Sequence, residues 1–355
     1  MTAAAEDTAD AGVRVVSPSV GLAETPAVGV HPTFALVEAA RNRAVVGFGD
    51  GSLRALPLTP ETTGYAGLAA VDGVPLVAAR DLDGGLLIGT DGAGLVALRG
   101  EALAPVAAAE GWINALAVHP GAGLRAFAAD RRVTVLDGTG QARLTTGEHD
   151  STVAGLAFSP DGAWIAAAHY GGVLVWATDD PRAAPVRLDW HGSHTVVSWS
   201  PDGRFIVTAM QDKEMHAWRW QDRKSLRMSG YPSKIRALSW TADGRYLAAS
   251  GADTVTSWDC SGQGPMGRAP LEFGYVYNGT VRQVAAHPER LLVAGGYSDG
   301  TILIGRIEQE TAVIARPSSG APVVALDWSP DGRRLVGVDE AGAAAVMHLR
   351  DAALA

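Results

Sequence analysis

Short apolar segments of six to nine residues recur along the chain, each bounded by Gly, Asp, Asn or Pro. They are rich in Val, Ile, Leu, Trp and Thr, a composition that is typical of β-strands. No segment shows the sustained helical period of apolar residues, with terminal caps, that marks an amphipathic helix. The pattern therefore predicts an all-β protein.

Three pairs of these segments are joined by a turn with the sequence Ser-Pro-Asp-Gly. The turn occurs in GLAFSPDGAWIAAA (155–168), SWSPDGRFIVTA (198–209) and DWSPDGRRLVGV (327–338). Pro sets φ for an early turn position, Asp tolerates the tight backbone, and Gly supplies the positive φ that closes a hairpin. The motif is therefore interpreted as a bend between two antiparallel strands.

The whole pattern of apolar segments and turns is itself repeated. Each position equivalent to the Pro of the turn lies 38 to 46 residues after the previous one. A period in this range is a signature of repeat architectures. The eight equivalent positions are Ala40, Leu82, Pro120, Pro160, Pro201, Ala242, Pro288 and Pro330. We predict eight units, each forming a four-stranded antiparallel sheet. In the fourth unit the predicted strands are 153–158, 164–169, 173–178 and 184–190.

The first strand of each unit is apolar on both faces, as expected for sheets that pack against each other around an axis. Large residues such as Phe158 and Trp199 are preceded by small ones, Ala157 and Ser198. Alternation of large and small side chains lets neighbouring sheets interdigitate near a narrow centre.

The fifth unit, HGSHTVVSWSPDGRFIVTAMQDKEMHAWRW (191–220), together with the Trp258-Asp259 dipeptide of the sixth, resembles the WD-repeat β-propeller family. The resemblance extends from about residue 31 to residue 349. It implies a structural tetrad that links the loop before a blade to the second and third strands of that blade by hydrogen bonds. In this sequence the tetrad positions are His191, Thr208, Asp212 and Trp218.

Eight units favour eight blades, although seven is the commoner number in this family. The last unit ends without a fourth strand, and the family closes its ring with a strand from the N-terminus. The segment GVRVVSPSVGLAETPAV (12–28) is available for that role. We therefore predict a flexible segment at 1–11 and a single propeller over 12–355.

Composition narrows the possible partners and locations. The chain has 355 residues, a net charge of −9 and a pI near 5.5, so it lacks the basic surface expected of a nucleic-acid-binding protein. Cys260 is the single cysteine, which suits a reducing cytosol. The acidic N-terminus does not resemble a signal peptide, and no apolar run is long enough for a membrane helix. We expect a cytoplasmic protein, of bacterial origin given its Ala and Gly bias, with no membrane partner.

The sequence contains few groups that could carry catalysis. It has no GxSxG, Walker, HExxH or GxGxxG motif. His191 and His194 have a spacing that could supply two metal ligands, but no third ligand is tied to them. We therefore predict that the protein is not an enzyme and has neither a metal nor another cofactor.

With no catalytic motif in the sequence, the function we expect is binding of a partner. Loops around one mouth of the central channel would bind it, because a rigid scaffold positions their residues. Trp, Tyr and Arg contribute most to protein interfaces, and several lie in these loops. The candidate partner-binding residues are Trp112, Asn114, Tyr170, Trp190, Thr195, Arg236, Tyr277, Asn278 and Arg282. We predict a monomeric, non-enzymatic scaffold that binds a protein or peptide. Two alternatives are a propeller enzyme of the lactonase or quinoprotein kind, and a sensor that binds a small ligand or metal in the channel.

Overall fold

The structure is a computed structural model that describes residues 16–92 and 94–350, and it is an all-β propeller. Its described strands form seven antiparallel sheets, six with four strands and one with six. The only described helices are two single 3-10 turns, Ala39–Arg41 and Pro120–Ala122. Neither is long enough to cross a membrane. The segment 1–11, predicted to be flexible, lies outside the described residues.

Each of the first three units forms one sheet of four consecutive strands, as predicted. Strands are numbered in chain order, and the first sheet contains β2 to β5, at Pro32–Glu38, Arg43–Phe48, Ser52–Pro57 and Ala66–Ala70. The second contains β6 to β9, at Pro75–Arg80, Leu86–Thr90, Leu95–Arg99 and Ala102–Ala107. The third contains β10 to β13, at Ile113–His119, Leu124–Ala129, Arg132–Leu136 and Ala142–Thr145.

The fourth and fifth units share the six-stranded sheet. Its strands, β14 to β19, are Gly155–Phe158, Trp164–Ala177, Val186–Trp199, Phe205–Met210, Met215–Arg219 and Ser225–Met228. Strand β15 folds back on itself at Gly171 and Gly172, whose φ values are 95° and 139°. Accordingly, the N–H of Thr178 donates to the carbonyl of Ala163 over 3.0 Å.

The prediction of eight blades is wrong, because seven sheets carry the eight sequence units. Sequence analysis expected separate strands at 164–169 and 173–178, and a loop at 191–194. The first two segments are the arms of the hairpin β15, but β16 extends through the expected loop. Residues 186–189 of β16 pair with β15, whereas residues 194–199 pair with β17. Hydrogen bonding therefore continues from the fourth unit into the fifth without a sheet boundary.

The last three sheets have four strands each. One contains β20 to β23, at Leu238–Trp240, Tyr246–Ala249, Val255–Asp259 and Leu271–Phe273. The next contains β24 to β27, at Val281–Ala286, Leu292–Tyr297, Ile302–Arg306 and Thr311–Arg316. The closing sheet contains β28 to β30, at Val323–Trp328, Arg334–Asp339 and Ala344–Leu349, and β1, at Val20–Glu24.

Ring closure by an N-terminal strand occurs as predicted. Strand β1 pairs antiparallel with β30, from Val20 opposite Leu349 to Glu24 opposite Ala345. The closing sheet thus joins the two ends of the described chain and leaves no unpaired edge on β30.

The apolar core lies between sheets, which is why the ring must close. One buried cluster joins Val37 and Phe48 of the first sheet to Val336 and Val346 of the closing sheet. Another joins Val175 of the fourth unit to residues of the fifth, so the two halves of the six-stranded sheet also pack against each other. A single sheet could not bury these residues alone.

The Ser-Pro-Asp-Gly turns have the chemistry inferred from sequence. In the turn at 200–203, the hydroxyl of Ser200 donates to Asp202 over 2.6 Å and accepts from the N–H of Phe205 over 2.9 Å. Gly203 has a φ of 72°, which a residue with a side chain rarely adopts. The side chains thus satisfy backbone groups and fix the bend.

A buried ion pair reinforces the seam where the ring closes. Arg316 of β27 donates to Glu24 of β1 over 2.9 Å and to Asp339 of β29 over 3.1 Å. The side chains of Arg316 and Asp339 are almost fully buried, at 2% and 1% exposure. Loss of the arginine would leave the Asp339 carboxylate buried without its cation.

We therefore predict that Arg316→Met lowers the free energy of unfolding by about 3–5 kcal/mol. The matched control is Arg99→Met, since Arg99 forms an exposed ion pair with Asp83 that is worth only about 0–1 kcal/mol. Urea denaturation monitored by tryptophan fluorescence measures both. Equal losses in the two variants would contradict a special role for the seam.

Candidate functional site

Adjacent strands in each sheet alternate in direction, so the loops fall into two groups at opposite ends of the ring. The loops that precede first strands lie at one end with the turns between second and third strands. We call this end the mouth face; its main loops are 108–112, 146–154, 229–237 and 274–280, and the segment 190–194 of β16 lies at the same end. The opposite end, with turns such as 159–163 and the loop 260–270, is the bottom face.

Three of the predicted partner-binding aromatics project from the mouth face. Trp112 is 61% exposed, Tyr170 is 65% exposed and Tyr277 is 73% exposed. Tyr275, which sequence analysis did not select, is 62% exposed in the same loop as Tyr277. Large aromatic side chains this exposed contribute little to the core, and they are suited to contact a partner.

The other predicted residues are divided between the surface and the channel wall. Asn114, Thr195 and Arg282 are half-buried within first strands, whereas Arg236 and Asn278 are exposed. Asn278 has a φ of 55°, a left-handed conformation that Asn tolerates well in a tight loop.

Two shallow depressions on the mouth face bring some predicted residues together. The first depression is lined by Glu110, Trp112, Asn114, Asp130 and Thr152. The second is lined by Tyr170, His191, Gln211, Asp212, Glu214 and Arg227. Each combines one exposed aromatic ring with two carboxylates. Arg236, Arg282 and Tyr277 lie outside both.

Trp190 is occupied by an intramolecular contact. Its ring stacks on His216 with a centroid distance of 3.8 Å and an interplanar angle of 18°. Its carbonyl lies 3.1 Å from Nε2 of His194. Trp190 is thus part of the packing that supports the mouth face, although it is half-buried and not hidden completely.

The structure places His194, and not His191, in contact with Thr208. Nδ1 of His194 lies 2.7 Å from Oγ1 of Thr208, and the His194 and Trp218 rings are 5.8 Å apart. His191 is exposed beside Asp212 in the second depression. Because β16 continues through residues 191–194, the side chain of His194 points into the sheet packing and His191 is left outside.

The sixth unit contains a related hydrogen-bonded chain that sequence analysis missed. Nε1 of Trp258 donates to the hydroxyl of Tyr231 over 2.7 Å, and that hydroxyl lies 2.9 Å from Oγ1 of Thr256. In the fourth unit, Nε1 of Trp176 donates to Nε2 of His149 over 3.4 Å. In each pair the two residues are 27 positions apart in the sequence. This shared spacing could have identified Tyr231 as the partner of Trp258.

Burial suppresses the basicity of the histidines in the fifth unit. His216 is fully buried, and neither ring nitrogen has a hydrogen-bond partner within the described structure. Its burial, together with repulsion from His194, lowers the pKa of His216 to about 3. Burial also lowers the pKa of His194, although the carbonyl of Trp190 opposes this effect. Both imidazoles are therefore neutral at physiological pH.

The described residues contain no group of three His, Cys, Asp or Glu side chains placed to hold a metal ion. His191 and His194, the pair with suitable spacing, do not converge, since both ring nitrogens of His194 face Thr208 and Trp190.

The chain matches the family model described as WD domain, G-beta repeat, over residues 140–176, 186–219 and 223–261. These segments cover most of the fourth, fifth and sixth units, and the remaining units have the same sheet topology. Three WD repeats are thus part of this β-propeller.

Known relatives match parts of the propeller. Transcription initiation factor TFIID subunit 5 of Caenorhabditis elegans is 26% identical over 159 residues, which are 44% of this chain and 24% of that protein. The chromatin assembly factor 1 subunit FAS2 homolog of Oryza sativa subsp. japonica is 31% identical over 113 residues, 30% of this chain and 22% of that protein. Protein HIR1 of Cryptococcus neoformans var. neoformans is 28% identical over 214 residues, 53% of this chain and 24% of that protein. The matched segments thus span about a quarter of these relatives.

Solved structures are similar over almost the whole propeller. The computationally designed Ika8 protein superposes with a TM-score of 0.72 and 18% identity, covering 92% of this chain and 98% of that one. The C-terminal WD40 domain of Sif2 gives the same TM-score and coverage with 12% identity. At these identities the likeness shows the fold alone.

The partnerless His216 makes the stability of the WD-repeat propeller dependent on pH. In the unfolded chain this group has its ordinary pKa of 6.5, so below that pH the unfolded state binds a proton that the folded state excludes. Stability is thus retained above this pH and lost as the pH falls. The loss is about 1.4 kcal/mol per pH unit.

We predict that His216→Leu reduces the difference in unfolding free energy between about pH 7.5 and about pH 5 by about 2 kcal/mol. Urea denaturation at the two pH values measures this difference. Met215→Leu, a change to a neighbouring buried side chain that does not titrate, is the control and keeps the wild-type pH dependence. An unchanged pH dependence in His216→Leu would refute the assignment.

The single cysteine should be inert in the folded protein. Cys260 is buried and free, its Sγ lies 3.6 Å from the carbonyl of Trp258, and burial raises the pKa of the thiol to about 12. Since the thiolate is the reactive form, we predict no maleimide labelling of native protein at neutral pH, and complete labelling in urea. Rapid labelling without denaturant would contradict this.

Proposed function

We propose that the protein is a non-enzymatic scaffold that binds a protein or peptide partner on its mouth face. The observation that carries the proposal is the exposure of Trp112, Tyr170 and Tyr277 on the loops of a rigid ring. Burying an aromatic ring of this kind against a partner removes a large apolar area from water at a small cost in conformational entropy.

The relatives support the same kind of role. TFIID subunit 5 and the chromatin assembly factor 1 subunit FAS2 homolog are, by their names, subunits of larger assemblies. Their WD-repeat segments resemble this chain over parts of the propeller. We extend to this chain only the association with protein partners. The proposal further holds that 12–355 forms one propeller, and that the protein is a cytoplasmic monomer.

The channel wall offers little support for catalysis as an alternative. Asp327 of β28 is a carboxylate at the bottom of the channel, but it accepts a hydrogen bond from the N–H of Val37 over 2.6 Å and is ion-paired with Arg80. These contacts join three neighbouring first strands, which favours a structural role for Asp327. Catalysis needs titratable groups that are free to exchange protons with a substrate.

The proposal is tested by a triple variant, Trp112→Ala, Tyr170→Ala and Tyr277→Ala. Because the three rings are exposed, the variant should fold normally while losing most of its partner contacts. The measurement is quantitative mass spectrometry of proteins that co-purify from the native lysate after cross-linking, relative to a tag-only sample. We expect a loss of about tenfold or more in specifically enriched proteins.

Met266→Ala is the matched control, because Met266 is 65% exposed but lies in a loop of the bottom face. It should retain the wild-type set of partners. Identical sets for the triple variant and the wild type would reject the mouth face as the binding surface.

A further inference from the structure

Three basic side chains on the mouth face, Lys234, Arg236 and Arg282, form what we call the cationic patch. Lys234 and Arg236 belong to the loop before β20, and Arg282 lies near the start of β24 in the next sheet. Arg236 is exposed, and the other two are half-buried. The patch lies apart from both depressions on the mouth face.

The backbone of Gly251 joins the two parts of the patch by hydrogen bonds. Its carbonyl accepts from the N–H of Ser233 over 3.1 Å, and its N–H donates to the carbonyl of Val281 over 3.0 Å. Lys234 directly follows Ser233, and Arg282 directly follows Val281. The hydroxyl of Ser250 also accepts from the N–H of Arg236 over 2.9 Å. Hydrogen bonds between two sheets thus fix the backbone from which the three cationic side chains extend.

The cationic patch differs from other basic residues of the mouth face in having no carboxylate partner. Among the described residues, no acidic group lies within salt-bridge distance of Lys234, Arg236 or Arg282. Elsewhere on this face the arginines are paired: Arg54 with Asp50, Arg131 and Arg132 with Glu148, Arg187 with Asp189, and Arg227 with Glu214.

Arg236 repels each of the other two cations of the patch. Burial, with a contribution from Arg236, lowers the pKa of both Lys234 and Arg282, although Glu340 opposes the effect on Arg282. Like charges held together without a salt-bridge partner destabilise the protein, and an anionic ligand would relieve the repulsion. The electrostatic effect thus agrees with the geometry, in which a fixed group of positive charges faces the mouth.

The surroundings of the patch indicate which anion it fits. Tyr275 and Tyr277 are exposed in the loop before Arg282, so apolar and aromatic contacts are available beside the charges. The two depressions across the mouth are lined by Glu110, Asp130 and other carboxylates. A long polyanion would meet these carboxylates and be repelled. A short acidic segment would avoid these carboxylates, and its other side chains could pack against Tyr275 and Tyr277.

We propose that the cationic patch binds an acidic peptide segment, rich in Asp and Glu, of the protein partner. This inference rests on the proposed scaffold function and identifies the chemistry of the partner. Arg236 and Arg282 contact the carboxylates by charge-assisted hydrogen bonds, and Tyr277 packs against the peptide beside them.

The test uses fluorescence anisotropy with the full-length protein and three short labelled probes. They are an alternating Asp-Glu peptide with a central Leu, the same peptide with Asn and Gln in place of the acids, and an oligouridine of equal charge. We expect saturable binding of the acidic peptide, weakened by added salt, and no binding of the neutral peptide. Preferential binding of oligouridine would overturn the proposal in favour of a nucleic-acid site.

The double variant Arg236→Gln, Arg282→Gln should weaken binding of the acidic peptide by about tenfold or more. The control is Arg132→Gln, Arg187→Gln, which removes the same charge from exposed, carboxylate-paired arginines of the same face. It should change the affinity by less than about threefold. Equal weakening in both variants would mean that net charge, and not the cationic patch, attracts the peptide.

The experiments distinguish a failure of the acidic-peptide proposal from a failure of the scaffold function. If the acidic peptide does not bind, yet the triple aromatic variant still loses its partners, the mouth face binds a partner of different chemistry and the proposed acidic segment is refuted. If the triple variant also keeps its partners, the scaffold function is refuted as well.

Discussion

The structure depends on the antiparallel pairing of β1 with β30. The sheets bury their apolar faces only against each other, so an open ring would expose one face at each end of the array. The pairing from Val20 to Glu24 closes the last sheet with a strand from the other end of the chain. The buried pair of Arg316 with Asp339, and its contact to Glu24, then fixes this strand to the preceding sheet. Closure therefore couples residues more than 300 positions apart, and the ends of the described chain contribute to the stability of every sheet.

A closed ring gives its loops a fixed frame, and this explains why recognition would occur at the mouth face. Trp112, Tyr170 and Tyr277 extend from loops whose ends are held by strands of three different units. A partner that contacts them would not need to order them first, so less of its binding energy is lost to conformational entropy. Neutral, buried His194 and His216 support the same face from beneath, since charged rings there would disrupt the packing of Trp190 and Trp218.

Much of the fold could be predicted from sequence because the repeat, the strand composition and the turn chemistry are local signals. The turn at 200–203 and the closing strand in 12–28 were correctly predicted for this reason. The blade count and the contact to Thr208 depended on one segment, 191–194, whose sequence fits a loop equally well. His191 has the spacing of 27 residues from Trp218 that relates His149 to Trp176 and Tyr231 to Trp258. Continuous pairing of β16 with both neighbours overrides that spacing, and such non-local hydrogen bonding leaves no signature in the segment itself.

The charge of the mouth face shows why a protein with a net charge of −9 could still prefer an acidic partner. At physiological ionic strength, charges more than about 8 Å apart are largely screened, so a ligand responds to the groups nearest to it. Where arginines are paired with carboxylates, the local field is small, and a ligand gains little there. Among the described residues, Lys234, Arg236 and Arg282 have no salt-bridge partner, and the hydrogen bonds of Gly251 keep the backbone of the two parts of the patch together. The acidic remainder of the face then acts as a second filter, because it repels any anion too long to stay on the cationic patch.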